Sequence, residues 1–326
     1  MRVVVVDGRD SEVFGRFFGV RDRVRREWEF PAGLGVDEAL VLFAGEHADM
    51  RVDGLGVVDG DEWRGIVWLD WWLLENTDTV DVELAVESRY RRRGIGSRLL
   101  DEVIERARSD GRTRLSASVI ADAVTGESAG TAFAGARGFV RKHSELHQVL
   151  ELPLSAGQID GLDRPVAGYE IVQWREHTPD DWLERFADAL RAMSEDVPQG
   201  ESGLEATRWT PERIRQAEAR RLAQGRFCHT TAAVDGDGRL AAYTQMGGAT
   251  GATDLYQFDT FVRPEHRGKR LGMAVKVPNL RSLQAGLDHR AVLHTWNAPE
   301  NAPMIAVNNH LGFRAVDQLI TFQRTL

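Results

Sequence analysis

The sequence predicts two α/β domains arranged as a tandem repeat. The chain has 326 residues, more than one ordinary hydrophobic core accommodates and suitable for two domains of common size. Two long segments show the same order of strand and helix patterns. Between them, residues 152–168 are rich in glycine and proline and show little periodicity, which is typical of a connection. We therefore expect one domain at 1–152, a linker at 153–168 and a second domain at 169–326.

The composition indicates a globular protein, with 42% hydrophobic and 28% charged residues. The most apolar stretch, 66–74, is interrupted by Asp70, and the apolar run after Met1 is too short for a signal peptide. We expect a cytoplasmic protein that does not bind a membrane. A net charge of −9 argues against nucleic-acid binding through the whole surface. Cys228 is the only cysteine, so an intrachain disulfide and a cysteine-rich zinc site are excluded, and no metal is expected.

Alternating apolar residues predict strands, and apolar residues three and four apart predict helices. In the first half the expected strands are 53–58, 62–70, 79–86 and 115–120, the expected helices are 94–109 and 127–137, and a last hairpin ends near 152. In the second half the expected strands are 227–235, 239–245, 254–262 and 291–295, the expected helices are 271–285 and 301–311, and terminal strands follow.

The repeat is supported by arithmetic on residue numbers. Glu83 and Asp259 stand 176 positions apart, as do Gly96 and Gly272. The Gly-Phe pairs that begin at 138 and 312 stand 174 apart. Nearly constant separations over several features indicate a diverged tandem duplication.

The sharpest local pattern is a strand that runs into a glycine-containing turn and then directly into a helix. In the first half it reads Arg91-Arg92-Arg93-Gly94-Ile95-Gly96-Ser97 after the strand that ends at Val86. The first amides of a helix have no partner within it and carry partial positive charge, so they suit a phosphate. A basic run of this kind is also compatible with a solvated face or a nucleic-acid patch.

This segment resembles the Arg-x-x-Gly-x-Gly/Ala signature of the GNAT acyltransferase superfamily. The resemblance implies a mixed, mostly antiparallel twisted sheet flanked by helices in each domain, with a loop that holds the pyrophosphate of acetyl-CoA. The expected cofactor-binding residues of the first half are Val86, Arg91, Arg92, Arg93, Gly94, Ile95, Gly96 and Ser97.

The second half carries a similar signature, found again between an expected strand and an expected helix. Here Arg270 occupies the place of Gly94. We expect this position to be helical already, so that its amide is retained, while Gly268 loosens the turn. The expected cofactor-binding residues are Val262, Arg267, Gly268, Lys269, Arg270, Leu271, Gly272 and Met273, together with Asn301 and Asn308 of the following helix. The 297–313 stretch looks like that of tandem actinobacterial members, the group that includes mycothiol synthase.

Acyl transfer to an amine needs a base, a group that stabilises the oxyanion and a proton for the leaving thiolate. Asp259 and Glu83 occupy matching positions, and the resemblance implies that such a carboxylate acts as general base through water. Either carboxylate could instead lie on a solvent-facing side of its strand. The resemblance also implies a backbone amide near Val86 or Val262, where the strand bulges, as the oxyanion donor.

The tyrosine that usually acts as general acid in the superfamily is missing from both halves. Ala134 stands at its position in the first half and Asn308 in the second. Asn301 and Asn308 lie about two turns apart on one helix face, and the resemblance implies that they hold the pantetheine or the thioester. Asn301 could equally be a helix cap.

Together these observations predict an N-acetyltransferase that moves an acetyl group from acetyl-CoA to a small primary amine by direct attack. We expect both halves to bind acyl-CoA and the second half to catalyse. Two alternatives remain open: a catalytically silent acyl-CoA sensor or scaffold, and an enzyme whose active site lies in the first half. The protein is expected to be a monomer or a homodimer.

Overall fold

The computed structural model describes residues 1–196 and 200–326. Its strands, in chain order, are β1 (Arg2–Val5), β2 (Met50–Asp59), β3 (Glu62–Trp72), β4 (Thr79–Val86), β5 (Arg114–Asp122), β6 (Val140–Leu152), β7 (Glu170–Arg175), β8 (Arg226–Val234), β9 (Leu240–Ala249), β10 (Asp254–Val262), β11 (Ala291–Asn297) and β12 (Arg314–Thr325). Its α-helices are α1 (Ser11–Arg25), α2 (Val36–Ala44), α3 (Ile95–Ser109), α4 (Ala129–Ala136), α5 (Ala156–Leu162), α6 (Asp180–Asp196), α7 (Pro211–Ala223), α8 (Leu271–Gln284) and α9 (Ala302–Leu311).

The chain divides into two compact units that do not follow the expected boundary at residue 152. Unit 1 contains Met1–Ser144, a short segment that ends at Glu205, and Asp317–Leu326. Unit 2 takes the chain from Glu145 to Val316 apart from that short segment. Most of β6 therefore belongs to unit 2, and most of β12 belongs to unit 1. The domain ranges read from the sequence do not include this exchange of strands.

The expected linker is not free of regular structure. It contains α5, whose N-cap Ser155 accepts a hydrogen bond from the Gln158 amide in a capping box. Among the described residues, no helix is both long and apolar enough to cross a membrane.

The sheet of unit 1 has the strand order β1-β2-β3-β4-β5-β12. All neighbouring strands are antiparallel except β4 and β5, which are parallel. Their ladder joins only Thr79, Val80 and Asp81 to the start of β5. Because β4 continues to Val86, the two strands part over its second half.

The sheet of unit 2 repeats this plan with the order β6-β11-β10-β9-β8-β7. Again only one pair, β10 and β11, is parallel. Its ladder joins Asp254, Leu255 and Tyr256 to β11, and the strands part beyond Tyr256. Two mixed, mostly antiparallel sheets with helices against them confirm the fold predicted from the sequence.

The helix that follows the central strand forms for the reason read from the sequence. Ile95, Leu99, Val103 and Ala107 of α3 recur every four residues and are buried against the sheet. The corresponding helix α8 begins at Leu271 as predicted but buries residues on more of its circumference, including the polar side chains of Lys276 and Asn279. The helix after the central strand therefore packs with an apolar stripe in unit 1 and with buried polar side chains in unit 2.

Candidate functional site

In unit 1 the glycine loop presents a row of backbone amides at the start of α3. Strand β4 ends at Val86, a single 3-10 turn covers Ser88–Tyr90, and Gly94 caps the helix with φ of 78°. The Arg98 amide donates to the Gly94 carbonyl, which closes the first helical turn. Within the described chain, no backbone acceptor is recorded for the amides of 92–97. These amides are therefore available to a phosphate.

Unit 2 builds the same loop with a different distribution of residues. Strand β10 ends at Val262, a 3-10 turn covers Pro264–His266, and Arg270 caps α8. The Ala274 amide donates to the Arg270 carbonyl, and within the described chain the amides of 268–273 have no recorded backbone acceptor. Both loops therefore offer the same six amide positions.

The expectation that Arg270 stands in a helical position is wrong. Arg270 has φ of 62° and lies in the left-handed region, as Gly94 does with φ of 78°. At the first positive-φ position of each loop the two residue types are reversed: unit 1 has Arg92 (φ 62°) where unit 2 has Gly268 (φ 77°). Each loop thus holds one glycine and one arginine in left-handed conformation, and each arginine costs about 1–2 kcal/mol of backbone strain. The amide of position 270 is nonetheless retained.

The first arginine of each signature is engaged in holding its own loop. Arg91 donates through Nε to the Val86 carbonyl (2.9 Å) and through a terminal nitrogen to Glu27 (2.6 Å). Arg267 donates in the same way to the Val262 carbonyl (3.2 Å) and to Asp196. These guanidinium groups therefore fix the turn between the strand and the row of amides.

The other predicted loop residues divide by exposure. The side chains of Ile95 and Leu271 are buried in the core, so only their backbone can serve a ligand. The remaining cationic side chains are exposed beside the amides, where they add attraction for an anion; they are Arg92, Arg93, Lys269 and Arg270. Lys269 also donates to the Tyr169 hydroxyl (3.0 Å).

Asp259 lies at a break in the regular pairing of β10. The register with β9 shifts between Gln257 and Thr260, so that Phe258 and Asp259 together face a single residue of β9. Burial raises the pKa of the Asp259 carboxyl from 3.8 to about 6, although the Tyr243 hydroxyl and the Arg221 charge oppose the rise. A carboxylate with a pKa near 6 is poised to act as a base at neutral pH.

Glu83 has a different environment although it occupies the matching position. Its two carboxylate oxygens accept from Arg21 Nε (2.8 Å) and from a terminal nitrogen of Arg21 (2.7 Å). Burial tends to raise the pKa of Glu83, but the Arg21 charge and hydrogen bonds outweigh it, and the pKa is lowered. Glu83 is therefore held as a paired carboxylate, which makes it a weak base.

The family resemblance implies a strand bulge near Val86 or Val262, but the pairing register shows no bulge at either residue. In unit 1, Trp68 through Gly65 pair with Glu83 through Val86 without a shift, so β4 is regular. In unit 2, Val262 pairs regularly with Ala242, and the bulge lies three residues earlier. Because the Arg263 amide donates to the Ala241 carbonyl, the Val262 amide faces away from β9, toward the side where β10 parts from β11.

The predicted asparagines play different structural parts. Asn301 is the N-cap of α9, but its side chain makes no capping hydrogen bond. Asn308 is fully buried and accepts a hydrogen bond from Lys276 Nζ (2.7 Å). Sequence reasoning missed Lys276, although it is a single charged residue in the apolar run 274–277 of a predicted helix.

The two units differ in the face covered by the helix after the loop. In unit 1 this face is apolar: a Cβ added at Gly96 would lie 3.4 Å from the Phe133 ring and 3.6 Å from Leu84. In unit 2 a Cβ at Gly272 would meet only Val307, at 3.8 Å. In unit 2 this face and the helices against it include several buried polar residues, among them Thr244, Gln257, Lys276, Asn279 and Asn308. Unit 2 therefore has both more room and more hydrogen-bonding groups.

Comparison with known proteins agrees with this geometry. Residues 25–126 match the model of the acetyltransferase (GNAT) family. The chain also superposes on a solved tandem GNAT protein from the clavulanic acid biosynthesis pathway, with a TM-score of 0.83, 29% identity and coverage of 99% of this chain and 98% of that one. The family match covers residues 25–126, and the whole chain shares its fold with the tandem GNAT protein. These two matches confirm that this chain is an N-acetyltransferase, as predicted from its sequence.

More distant structures share the fold alone. A GCN5-related N-acetyltransferase from Sphaerobacter thermophilus has a TM-score of 0.65 at 14% identity, over 99% of this chain and 95% of that one. A glucosamine N-acetyltransferase region of a fungal β-N-acetylglucosaminidase has a TM-score of 0.68 at 13% identity, over 99% of this chain and 38% of that one. No curated protein matches the sequence significantly.

Proposed function

We propose that this GNAT protein transfers the acetyl group of acetyl-CoA to a small primary amine, and that the reaction takes place in unit 2. The proposal depends on the position and the raised pKa of Asp259. Asp259 is a partly buried carboxylate with a raised pKa, at a bulge in the strand that leads directly into an amide-lined loop. A base beside a phosphate-binding loop is the combination that acyl transfer from a CoA thioester requires.

The loop of unit 2 would bind the pyrophosphate through the amides of 268–273, with Lys269 and Arg270 adding charge. The sides of the opening between β10 and β11 would hold the pantetheine arm. The described part of unit 2 contains side-chain atoms that are buried without a partner, and three of them can hydrogen bond to the amides of this arm: Gln257 Oε1, Asn279 Oδ1 and Asn297 Nδ2.

An alkyl ammonium has a pKa of about 10, so the acceptor must lose a proton before it attacks. Asp259 would take this proton through a water molecule and is mostly ionised at pH 7, because its pKa is about 6. The amine nitrogen then attacks the thioester carbonyl directly. The Val262 amide, which faces the opening, is our candidate donor to the oxyanion.

Unit 1 would bind acyl-CoA without catalysing transfer. Its loop offers the same amides, but the paired Glu83 and the apolar face around Phe133 do not support the reaction. Membership of the mycothiol synthase-like group stays a prediction from the 297–313 stretch, as does a monomeric or homodimeric state.

The test is release of CoA from acetyl-CoA with a panel of small primary amines, comparing Asp259→Asn with Glu83→Gln. We expect turnover with at least one amine, a loss of at least about a hundredfold in Asp259→Asn and near-normal turnover in Glu83→Gln. Tight binding of acetyl-CoA without turnover on any amine would identify a silent sensor. Loss of turnover in Glu83→Gln alone would place the chemistry in unit 1.

A further inference from the structure

Lys276 is a buried cation that the mechanism above does not use. It lies on α8, one and a half turns after the loop, and its residue is 1% exposed. The matching position in unit 1, 176 residues earlier, is Leu100, which packs in the apolar core. Folding a lysine into this place costs free energy that a leucine would not. Its presence in unit 2 alone therefore points to a role there.

The ammonium group is only partly satisfied by its surroundings. Lys276 Nζ donates to Asn308 Oδ1 at 2.7 Å and lies 5.9 Å from the centre of the Phe313 ring. An ammonium has three hydrogens to donate, and Asn308 is its one hydrogen-bond acceptor recorded in the described chain. At least one N–H is therefore available to a ligand.

The Lys276–Asn308 pair lies at the level where the central strands part. Asn308 Nδ2 donates to Gln148 Oε1 (3.2 Å), and Gln148 pairs with Thr295 on β11. Thr295 is the first residue of β11 beyond the parallel ladder, which ends with Tyr256 and His294. Because side chains alternate along a strand, Thr295, Gln148 and Gln257 share the face on which Lys276 and Asn308 lie. The Lys276 ammonium thus lies on this face of the sheet, at the level where β10 and β11 part.

We propose that Lys276 is the proton donor to the departing sulfur of coenzyme A in unit 2, with Asn308 positioning its ammonium. This inference rests on the proposed function. As the amine nitrogen forms its bond to the carbonyl carbon, the carbon–sulfur bond breaks and its electron pair goes to sulfur. Before the attack, the acceptor ammonium has released one proton to solvent through water and Asp259, which is again ionised. During the transfer a second proton passes from the nitrogen to Asp259, and another passes from Lys276 to sulfur. The products are the amide, coenzyme A thiol, a protonated Asp259 and a neutral Lys276, which exchange protons with solvent before the next turnover.

The acid–base properties of the lysine fit this role. Burial lowers the pKa of Lys276 from 10.5 to about 7, within the range where a group can give up a proton at neutral pH. The transfer rate should therefore rise as Asp259 ionises at about pH 6 and fall as Lys276 deprotonates above about pH 7. The result is a narrow bell-shaped profile.

The kinetic experiment compares Lys276→Met and Lys276→Arg with the wild-type protein over a range of pH, using acetyl-CoA and an amine that supports turnover. Lys142→Met, which removes the same charge from a side chain of unit 1 that is 29% exposed, is the control. We expect kcat in both Lys276 variants to fall at least about tenfold, and the decline above about pH 7 to disappear. Lys142→Met should keep both the rate and the bell shape. Wild-type kcat and an unchanged high-pH decline in Lys276→Met would overturn the proposal while leaving the role of Asp259 intact.

A binding experiment decides the proposal without turnover. Calorimetry with coenzyme A and with desulfo-coenzyme A, which lacks the sulfur, measures how much the sulfur contributes to affinity in each variant. An ammonium beside the sulfur should favour coenzyme A severalfold in the wild-type protein, and the thiolate absorbance of the bound ligand should appear at lower pH than in solution. Both effects should vanish in Lys276→Met and persist in Lys142→Met. Equal preference in all three proteins would contradict the inference, even if acetyl transfer were shown.

Discussion

Replacing Asp259 by asparagine is expected to stabilise the protein while stopping acetyl transfer. The folded-state pKa of Asp259 is about 6, above its ordinary value of 3.8 because of burial. The folded state thus binds the proton more tightly than the unfolded chain, and the free energy of unfolding falls as pH rises from about 4 to about 6. The difference between the ordinary pKa of 3.8 and the folded-state pKa of about 6 corresponds to about 3 kcal/mol. Because the side chain is partly exposed, we expect about 2 kcal/mol.

The measurement is urea unfolding of the wild-type protein and of Asp259→Asn at two pH values. At about pH 8 the variant should be more stable by about 2 kcal/mol, and near pH 4 the gain should shrink to well under about 1 kcal/mol. A variant that is equally stable or less stable at pH 8 would show that the ionised carboxylate is not strained in the fold, and the reasoning for a raised pKa would be refuted.

Glu83→Gln is the matched comparison in unit 1 and should change stability in the opposite direction. The substitution leaves Arg21 without its bidentate carboxylate, and the Arg21 side chain is only 11% exposed. Because the Glu83 side chain is 39% exposed, water screens the pair, and we expect a loss of about 1 kcal/mol at pH 8. If Asp259→Asn raises the free energy of unfolding and Glu83→Gln lowers it, a general effect of removing a carboxylate cannot explain both changes.

Three further outcomes follow from the loop and from the neighbours of Asp259. Gly268→Ala and Gly94→Ala force an alanine into left-handed backbone, so unfolding measurements should show a loss of about 1 kcal/mol for each variant. Gly272 has an ordinary φ, and the nearest neighbour of an added Cβ lies 3.8 Å away. Gly272→Ala should therefore retain stability, and calorimetry should show weaker CoA binding. Arg267→Met removes the bonds to the Val262 carbonyl and Asp196, and thermal melting should show a loss of about 1 kcal/mol for this half-exposed side chain together with weaker CoA binding. Tyr243→Phe removes a hydroxyl that lowers the pKa of Asp259, so the rising limb of the pH–rate profile should move to higher pH; an unmoved limb would assign that limb to another group.

The repeat and the order of elements could be read from the sequence because they rest on local patterns. Strands β4 and β10 begin and end where the alternation predicted. Helices α3 and α8 begin within one residue of the prediction, because a glycine or arginine in left-handed conformation ends the loop before each. Local apolar spacing fixes such elements regardless of what packs against them.

The difference between the two carboxylates could not be read in this way, since it depends on contacts across long stretches of chain. Glu83 is neutralised by Arg21, 62 residues earlier, and Asp259 faces Tyr243 of a neighbouring strand. The extra residue of the bulge changes the separation between matching residues of the two units. Thr79 and Asp254 each begin their parallel ladder and stand 175 apart, whereas Val86 and Val262 stand 176 apart. One additional residue therefore lies within β10, and only the pairing register shows where.

The exchange of β6 and β12 between the two units limits how the chain can be divided into separately expressed fragments. An expression fragment cut within 153–168 would carry β6 away from the unit that uses most of it and would leave β12 behind on the other fragment. The first fragment would expose the edge of β5 where β12 pairs, from Asp122 to Arg114, and unsatisfied edges of this kind are prone to aggregate. Catalytic comparison of the halves therefore calls for point substitutions in the intact chain. For the same reason, a deletion that removed either copy after duplication would have cost the surviving copy a strand.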